Sequence, residues 1–188
     1  MRCPQRVARR QIHAIERGFT LVELMVVVAI TGVLATIGTM MVRTHFKEAK
    51  TSEALALIQA LRIAEESQRA EGGTYLSCSL TAGTPWYPAS PNGVQHAWQQ
   101  PSHADWARWQ QLGISQPEGT QFGFLLHAGT PADALPIPQT TNRPTWPTTL
   151  ADPWYVIQAA GDRDKDSTFS LLLAASFNGE VYVENDGE

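Results

Sequence analysis

The sequence predicts an α+β fold: one long amino-terminal helix, its first half apolar on every side, packed through its second half on a small antiparallel sheet. Three observations predict it. An unbroken apolar run fills residues 19–42. Good helix formers continue from that run to a glycine pair at 72–73. Segments that alternate as strands do all lie beyond residue 120.

From Phe19 to Val42 the chain reads FTLVELMVVVAITGVLATIGTMMV. At about 1.5 Å per residue such a run makes a helix of roughly 36 Å, enough to cross a ~30 Å hydrocarbon core. Residues 43–71 are rich in Ala, Leu, Glu, Lys and Gln, with no Pro or Gly, and good helix formers extend the helix through them. Ala54, Leu57, Ile58, Leu61 and Ala64 follow the spacing of one apolar stripe. Lys47, Lys50, Glu53, Arg62, Glu66 and Arg69 read as its solvated complement. Gly72-Gly73 is the stop signal.

Charge is divided unevenly along the chain. Five basic residues and one acid precede Gly18, a surplus of four positive charges; nine basic and seventeen acidic residues follow, a deficit of eight. A basic end before an apolar run reads as a targeting signal, and the positive-inside rule leaves that end in the cytoplasm with everything after Arg43 exported. The acidic remainder would repel a phosphate backbone, so nucleic acid is not an expected partner. The chain has only two cysteines, Cys3 and Cys78. Once the basic end is removed, Cys78 has no partner for an intramolecular disulfide and reads as a buried or tolerated thiol.

Glu23 breaks the apolar run. A carboxylate at membrane depth costs at least about 2.5–3.5 kcal/mol on insertion scales, so it calls for a partner. No positive side chain follows it before Arg43. The amine created by a cut just before Phe19 would serve, supplied by a neighbouring subunit. A secretory signal peptide would have a shorter apolar region free of acids, of about 7–15 residues, and a plain membrane anchor would not explain Gly18-Phe19 together with Glu23.

Gly18-Phe19-Thr20-Leu21-Val22-Glu23-Leu24, followed by the apolar run, resembles the prepilin peptidase site of type IV pilins and pseudopilins. The resemblance implies cleavage between Gly18 and Phe19, methylation of Phe19, and a role for Glu23 in subunit assembly. Gly32 matches a glycine common in these helices, whereas Met40 stands where the family usually has a proline. The implied organisation is a leader over 1–18, a transmembrane and filament-core helix over 19–42, and an exported pilin-like globular domain over 43–188. The implied partners are a prepilin peptidase and methylase, inner-membrane pilus or secretion assembly machinery, membrane lipid before assembly, and other pilin subunits. Localisation follows as a single pass of the inner membrane, then a periplasm-spanning or cell-surface filament.

The remaining segments fill in the domain. Residues 74–118 hold five prolines and Trp86, Trp98, Trp106 and Trp109; they read as a long loop with a short helix near Asp105–Leu112. The tryptophans suit either a satellite core or a contact surface. Gln121–His127 alternates, with Phe122, Phe124 and Leu126 on one face, and reads as a strand. Residues 129–150 look like a second loop. Trp154–Ala159, Thr168–Phe177 and Glu180–Glu184 are further strands, with Asn178-Gly179 as a hairpin turn between the last two.

Asp162, Asp164 and Asp166 alternate within Gly161–Ser167 and suit a hard oxygen-seeking cation such as calcium. The loop is not an EF-hand, since Ser167 and Leu173 replace the glycine and glutamate that one requires. Some pseudopilins carry calcium in a comparable loop, so the resemblance points the same way; the alternative is a charged, solvated turn. His96 and His103 lack companions at ligand spacing and read as polar surface. No nucleophile elbow, P-loop or dinucleotide fingerprint occurs, so the chain is expected to be an enzyme's substrate and no enzyme itself, with no required cofactor. Three functions fit the resemblance. They are a structural subunit of a type IV pilus, most like a minor pilin; a pseudopilin of a type II secretion system; and a pilus-tip module for adhesion or DNA contact through the Trp-rich zone. A leader of 18 residues and the want of a carboxy-terminal disulfide loop favour the first two.

Overall fold

A computed structural model of the chain describes residues 18–79, 86–140 and 145–186; for Met40 and residues 43–49 it describes the backbone alone. The expected leader, apart from Gly18, and the side chains of Met40 and Lys47 therefore lie outside the described residues.

Helix α1 runs from Leu21 to Gly72. Gly73 ends it at φ 77°, its N–H donating to the Arg69 carbonyl at 2.8 Å. Glycine suits this left-handed position because it has no Cβ to clash. The chain divides into two units between Met41 and Val42. In the first, Leu21–Thr39 is long and apolar enough to cross a membrane, by length and composition. Its described side chains are exposed all round.

The second unit holds the second half of α1, a short helix α2 (Trp106–Gln111), and four strands: β1 (Phe122–Gly129), β2 (Trp154–Gly161), β3 (Ser170–Ala175) and β4 (Asn178–Glu184). The strands form an antiparallel meander in sequence order. Its register lines up two apolar rows across the sheet, Phe124–Ala159–Leu172–Val183 and Leu126–Ile157–Ala174–Val181. These rows share one core with Ala54, Leu57, Ile58 and Leu61 of α1. The predicted stripe is thus the packed one, and each large apolar side chain fully buried there contributes about 1.5–3 kcal/mol.

The Trp-rich segment belongs to that same core. Tyr87 pairs with the outer edge of β1 through Phe124, with N–H···O distances of 3.0 and 2.6 Å. Its ring stacks on Trp109 at 4.6 Å and meets Trp98 edge-on at 5.1 Å. Its hydroxyl donates to the Trp98 carbonyl. Trp98 and Trp109 are buried, so of the two readings the core is the one realised for these two residues.

Three features differ from the sequence reading. The β3–β4 turn is made by Ser176 and Phe177; Asn178 and Gly179 open β4, beside a register shift at Ala174/Ala175. Neither Asn178 nor Gly179 has the positive φ of a primed hairpin turn. Arg62 is not a solvated residue: its guanidinium donates to the carbonyls of Ala175, Asn178 and Gly179, clamping that turn to α1. The 130–153 loop supplies Leu135, Trp146 and Leu150 to cover the sheet's second face, over Trp154, Val156, Leu173 and Ala175. This second core follows from register, because the residues between the two apolar rows must point away from α1.

Glu65 was also hidden from sequence. It falls on the apolar stripe, four residues after Leu61 and seven after Ile58, and is fully buried. One carboxylate oxygen accepts the Leu76 N–H at 2.8 Å; the other has no hydrogen-bond partner. Burial pushes its carboxyl from 4.5 up to about 7, against the opposing pull of the Leu76 N–H. The folded state therefore holds the proton more tightly than the unfolded chain. The contribution of Glu65 to stability is greatest below pH 4.5, falls as pH rises towards 7, and is flat above. At about 1.4 kcal/mol per unit the fall is about 3 kcal/mol. Glu65→Gln keeps an acceptor for Leu76 and removes the charge. It should raise the melting temperature at pH 8, with a gain that vanishes near pH 4.5; an equal gain at both pH values would refute the buried charge as the cause.

Candidate functional site

Two places carry the residues that the sequence singles out. The first is the start of α1. Gly18, Phe19 and Thr20 are exposed and non-helical, with Phe19 79% exposed. Helical bonding begins with the Leu24 N–H donating to the Thr20 carbonyl at 3.2 Å. The Glu23 N–H donates to Thr20 Oγ1 at 3.2 Å, and the Thr20 hydroxyl points back at Glu23 Oε2, 3.5 Å away. Thr20 is thus the N-cap and Glu23 the third helical residue, at the spacing of a capping box. The Thr-x-x-Glu signature was present in the sequence but hidden under the stronger membrane pattern. It means that Glu23 has a weak polar partner in its own chain and sits at the positive end of the helix dipole. The Gly18–Phe19 peptide bond lies just outside the helix.

The second place is the loop between β2 and β3. The carboxylates of Asp162, Asp164 and Asp166 each offer an oxygen within 4.8 Å of the other two; among the described residues no other group of three His, Cys, Asp or Glu side chains does so. Asp164 and Asp166 are exposed, whereas Asp162 is 6% exposed and its Oδ1 is buried without a hydrogen-bond partner. Asp166 Oδ1 accepts the Thr168 N–H at 2.7 Å. Lys165 and Ser167 take left-handed φ values of 65° and 71°. Three like charges gathered this closely repel one another, and an orphaned buried oxygen is costly by itself. A bound cation would relieve both.

Other candidates fall away. The Cys78 thiol is fully buried, and burial, followed by the nearby Glu65, pushes its ionisation far up; such a thiol is inert. His96 bonds to Asn92 through Nε2 at 3.1 Å. His103 is not plain surface: its ring stands edge-on to Tyr87 at 5.2 Å, and its Nδ1 accepts the Asp105 N–H.

Comparison with known proteins bears on the first place. Residues 14–39 match the family model described as the prokaryotic N-terminal methylation motif. A fimbrial protein of Pseudomonas aeruginosa is 36% identical over 69 residues, 37% of this chain and 45% of its own length. A fimbrial protein of Moraxella nonliquefaciens is 36% identical over 67 residues, 36% of this chain and 44% of its own. The chain therefore spans less than half the length of the curated relatives it matches. No solved structure matches it.

Proposed function

We propose that this type IV pilin-like chain is a minor pilin: a structural, non-catalytic subunit that enters a type IV pilus through its apolar helix after its leader is cut away. One observation carries the reading. The Gly18-Phe19 bond and Glu23 stand at the start of a helix that is exposed and apolar on every side, inside the stretch that matches the methylation motif. Before assembly, lipid would cover that surface; afterwards, the helices of other subunits would. A prepilin peptidase would hydrolyse the Gly18–Phe19 bond, a methylase would modify the Phe19 amine, and inner-membrane machinery would lift the subunit into the filament.

The carboxylates of Asp162, Asp164 and Asp166 would hold calcium. The fit rests on Asp162, whose buried Oδ1 lacks a partner. Bound there, calcium would neutralise the gathered charge and staple an exported sheet that has no disulfide.

Three experiments test these proposals. Mass spectrometry of the mature protein should find Phe19, methylated, at the amino terminus; a mature chain that retains Arg17 would refute the processing step. Glu23→Ala, expressed as the sole tagged copy, should insert in membranes at normal levels but be depleted severalfold in sheared filaments. Normal incorporation would remove Glu23 from assembly. For the loop, a ligand that binds only the folded state adds about 2.7 kcal/mol at a hundredfold excess over Kd. Calcium should therefore raise the melting temperature. Asp162→Asn should abolish that rise and should itself stabilise the chain in chelator. No calcium shift in the wild type would return the loop to a solvated turn.

A further inference from the structure

We propose that Arg163 is the positioning residue of the cation loop, and that its bond to Thr51 ties cation binding to helix α1. The inference rests on the calcium reading above. Arg163 lies between two of the three carboxylate residues, where a cationic side chain should weaken a cation site. Its guanidinium donates to Thr51 Oγ1 of α1 at 3.1 Å and to Ser170 Oγ of β3 at 3.4 Å. Both anchors are buried. Thr51 is 5% exposed and Ser170 is fully buried. The Ser170 hydroxyl is itself fixed, donating to the Asn185 carbonyl at 2.8 Å.

Lys165 contacts a different segment. Its aliphatic stem lies over Gly93, where an added Cβ would meet Lys165 Cγ at 2.8 Å and the Asp162 carbonyl at 2.6 Å. The two basic side chains of the loop thus reach separate segments, Arg163 towards α1 and β3 and the Lys165 stem towards Gly93. Of the two tethers, Arg163 reaches the helix, 112 residues away in sequence. Ordering the carboxylates around a cation therefore favours the Arg163–Thr51 bond, and that bond in turn pre-orders the carboxylates.

Electrostatics alone predicts the opposite behaviour, which makes the proposal testable. Deleting a positive charge beside a cation site should tighten cation binding. The positioning role predicts that Arg163→Met weakens it. Thr51→Val, isosteric and outside the loop, should weaken it too, without any change of charge. The test is calorimetric titration of calcium into the full mature chain in detergent micelles, with folding checked by circular dichroism. Arg163→Met and Thr51→Val should each lose about tenfold in affinity, the scale of one hydrogen bond to a charged group. Arg163→Lys should recover part of the loss, and Lys165→Met, the matched charge deletion, should not weaken binding. Calcium should also slow amide exchange across residues 50–58 in the wild type but not in Arg163→Met. Unchanged or tighter binding in both Arg163→Met and Thr51→Val overturns the inference while leaving the calcium site standing. No calcium binding by the wild type overturns both.

Discussion

The globular unit depends on one contact: four small or aliphatic residues of α1, Ala54, Leu57, Ile58 and Leu61, lying against the two apolar rows of the sheet. A four-stranded meander has only one face's worth of large side chains with which to hold a helix. It needs that face continuous, and the register supplies continuity by stacking Leu126, Ile157, Ala174 and Val181 in one line. The same helix turns carry Glu65 within the stripe and a half-buried Arg62 at its edge. Arg62 satisfies three carbonyls at the β3–β4 turn. Glu65 satisfies the Leu76 N–H where the chain leaves the helix. The apolar contact supplies the energy, and the two polar residues fix which turn and which loop sit at its ends.

The two halves of α1 present different surfaces. Between Leu21 and Thr39 there is no polar face, and the threonines within it bond to their own helix: Thr31 to the Val27 carbonyl and Thr36 to the Val33 carbonyl. Hydroxyls satisfied in this way add little cost in a non-aqueous setting. From Lys50 onward, exposed and buried positions alternate with helical period. One continuous helix can carry both patterns because backbone hydrogen bonding is indifferent to which side chains face out.

How far the sequence could be read follows from range. The helix, its stripe and its glycine stop are periodic and local, and the structure reproduces them. The strands were legible for the same reason, and so was the acidic loop, whose three aspartates are near neighbours. The β3–β4 turn was misplaced because Asn-Gly is a strong local preference that the clamp of Arg62, more than a hundred residues away, overrides. The aromatic core was ambiguous because composition cannot say what Tyr87 will face; only its pairing with Phe124 brings Trp98 and Trp109 inward. Glu65 stands where the stripe's period would place a buried residue, four after Leu61, but a glutamate on a helix is usually solvated, and its partner, the Leu76 N–H, lies across a turn. At the acidic loop the ligands were readable and the tether was not, since nothing near Arg163 in sequence points to Thr51.

On the proposed reading, Glu23 is a costly charge made useful by being held weakly. In the isolated chain its carboxylate has the Thr20 hydroxyl at 3.5 Å and the positive end of the helix dipole. These lower the cost of the charge without saturating it. A hydroxyl at that distance is a poor bond, so a full positive charge brought alongside would win it easily. On the proposed reading, the amine released at Phe19 is such a charge, and a neighbouring subunit can present it only when the two helices stand in one register. Had the carboxylate a strong partner in its own chain, exchange would gain nothing and would impose no register. Had it none, the helix would resist entering lipid. On the proposed reading, the Thr20 cap sets the charge between these limits, and for that reason Thr20 belongs to the assembly argument as much as Glu23 does.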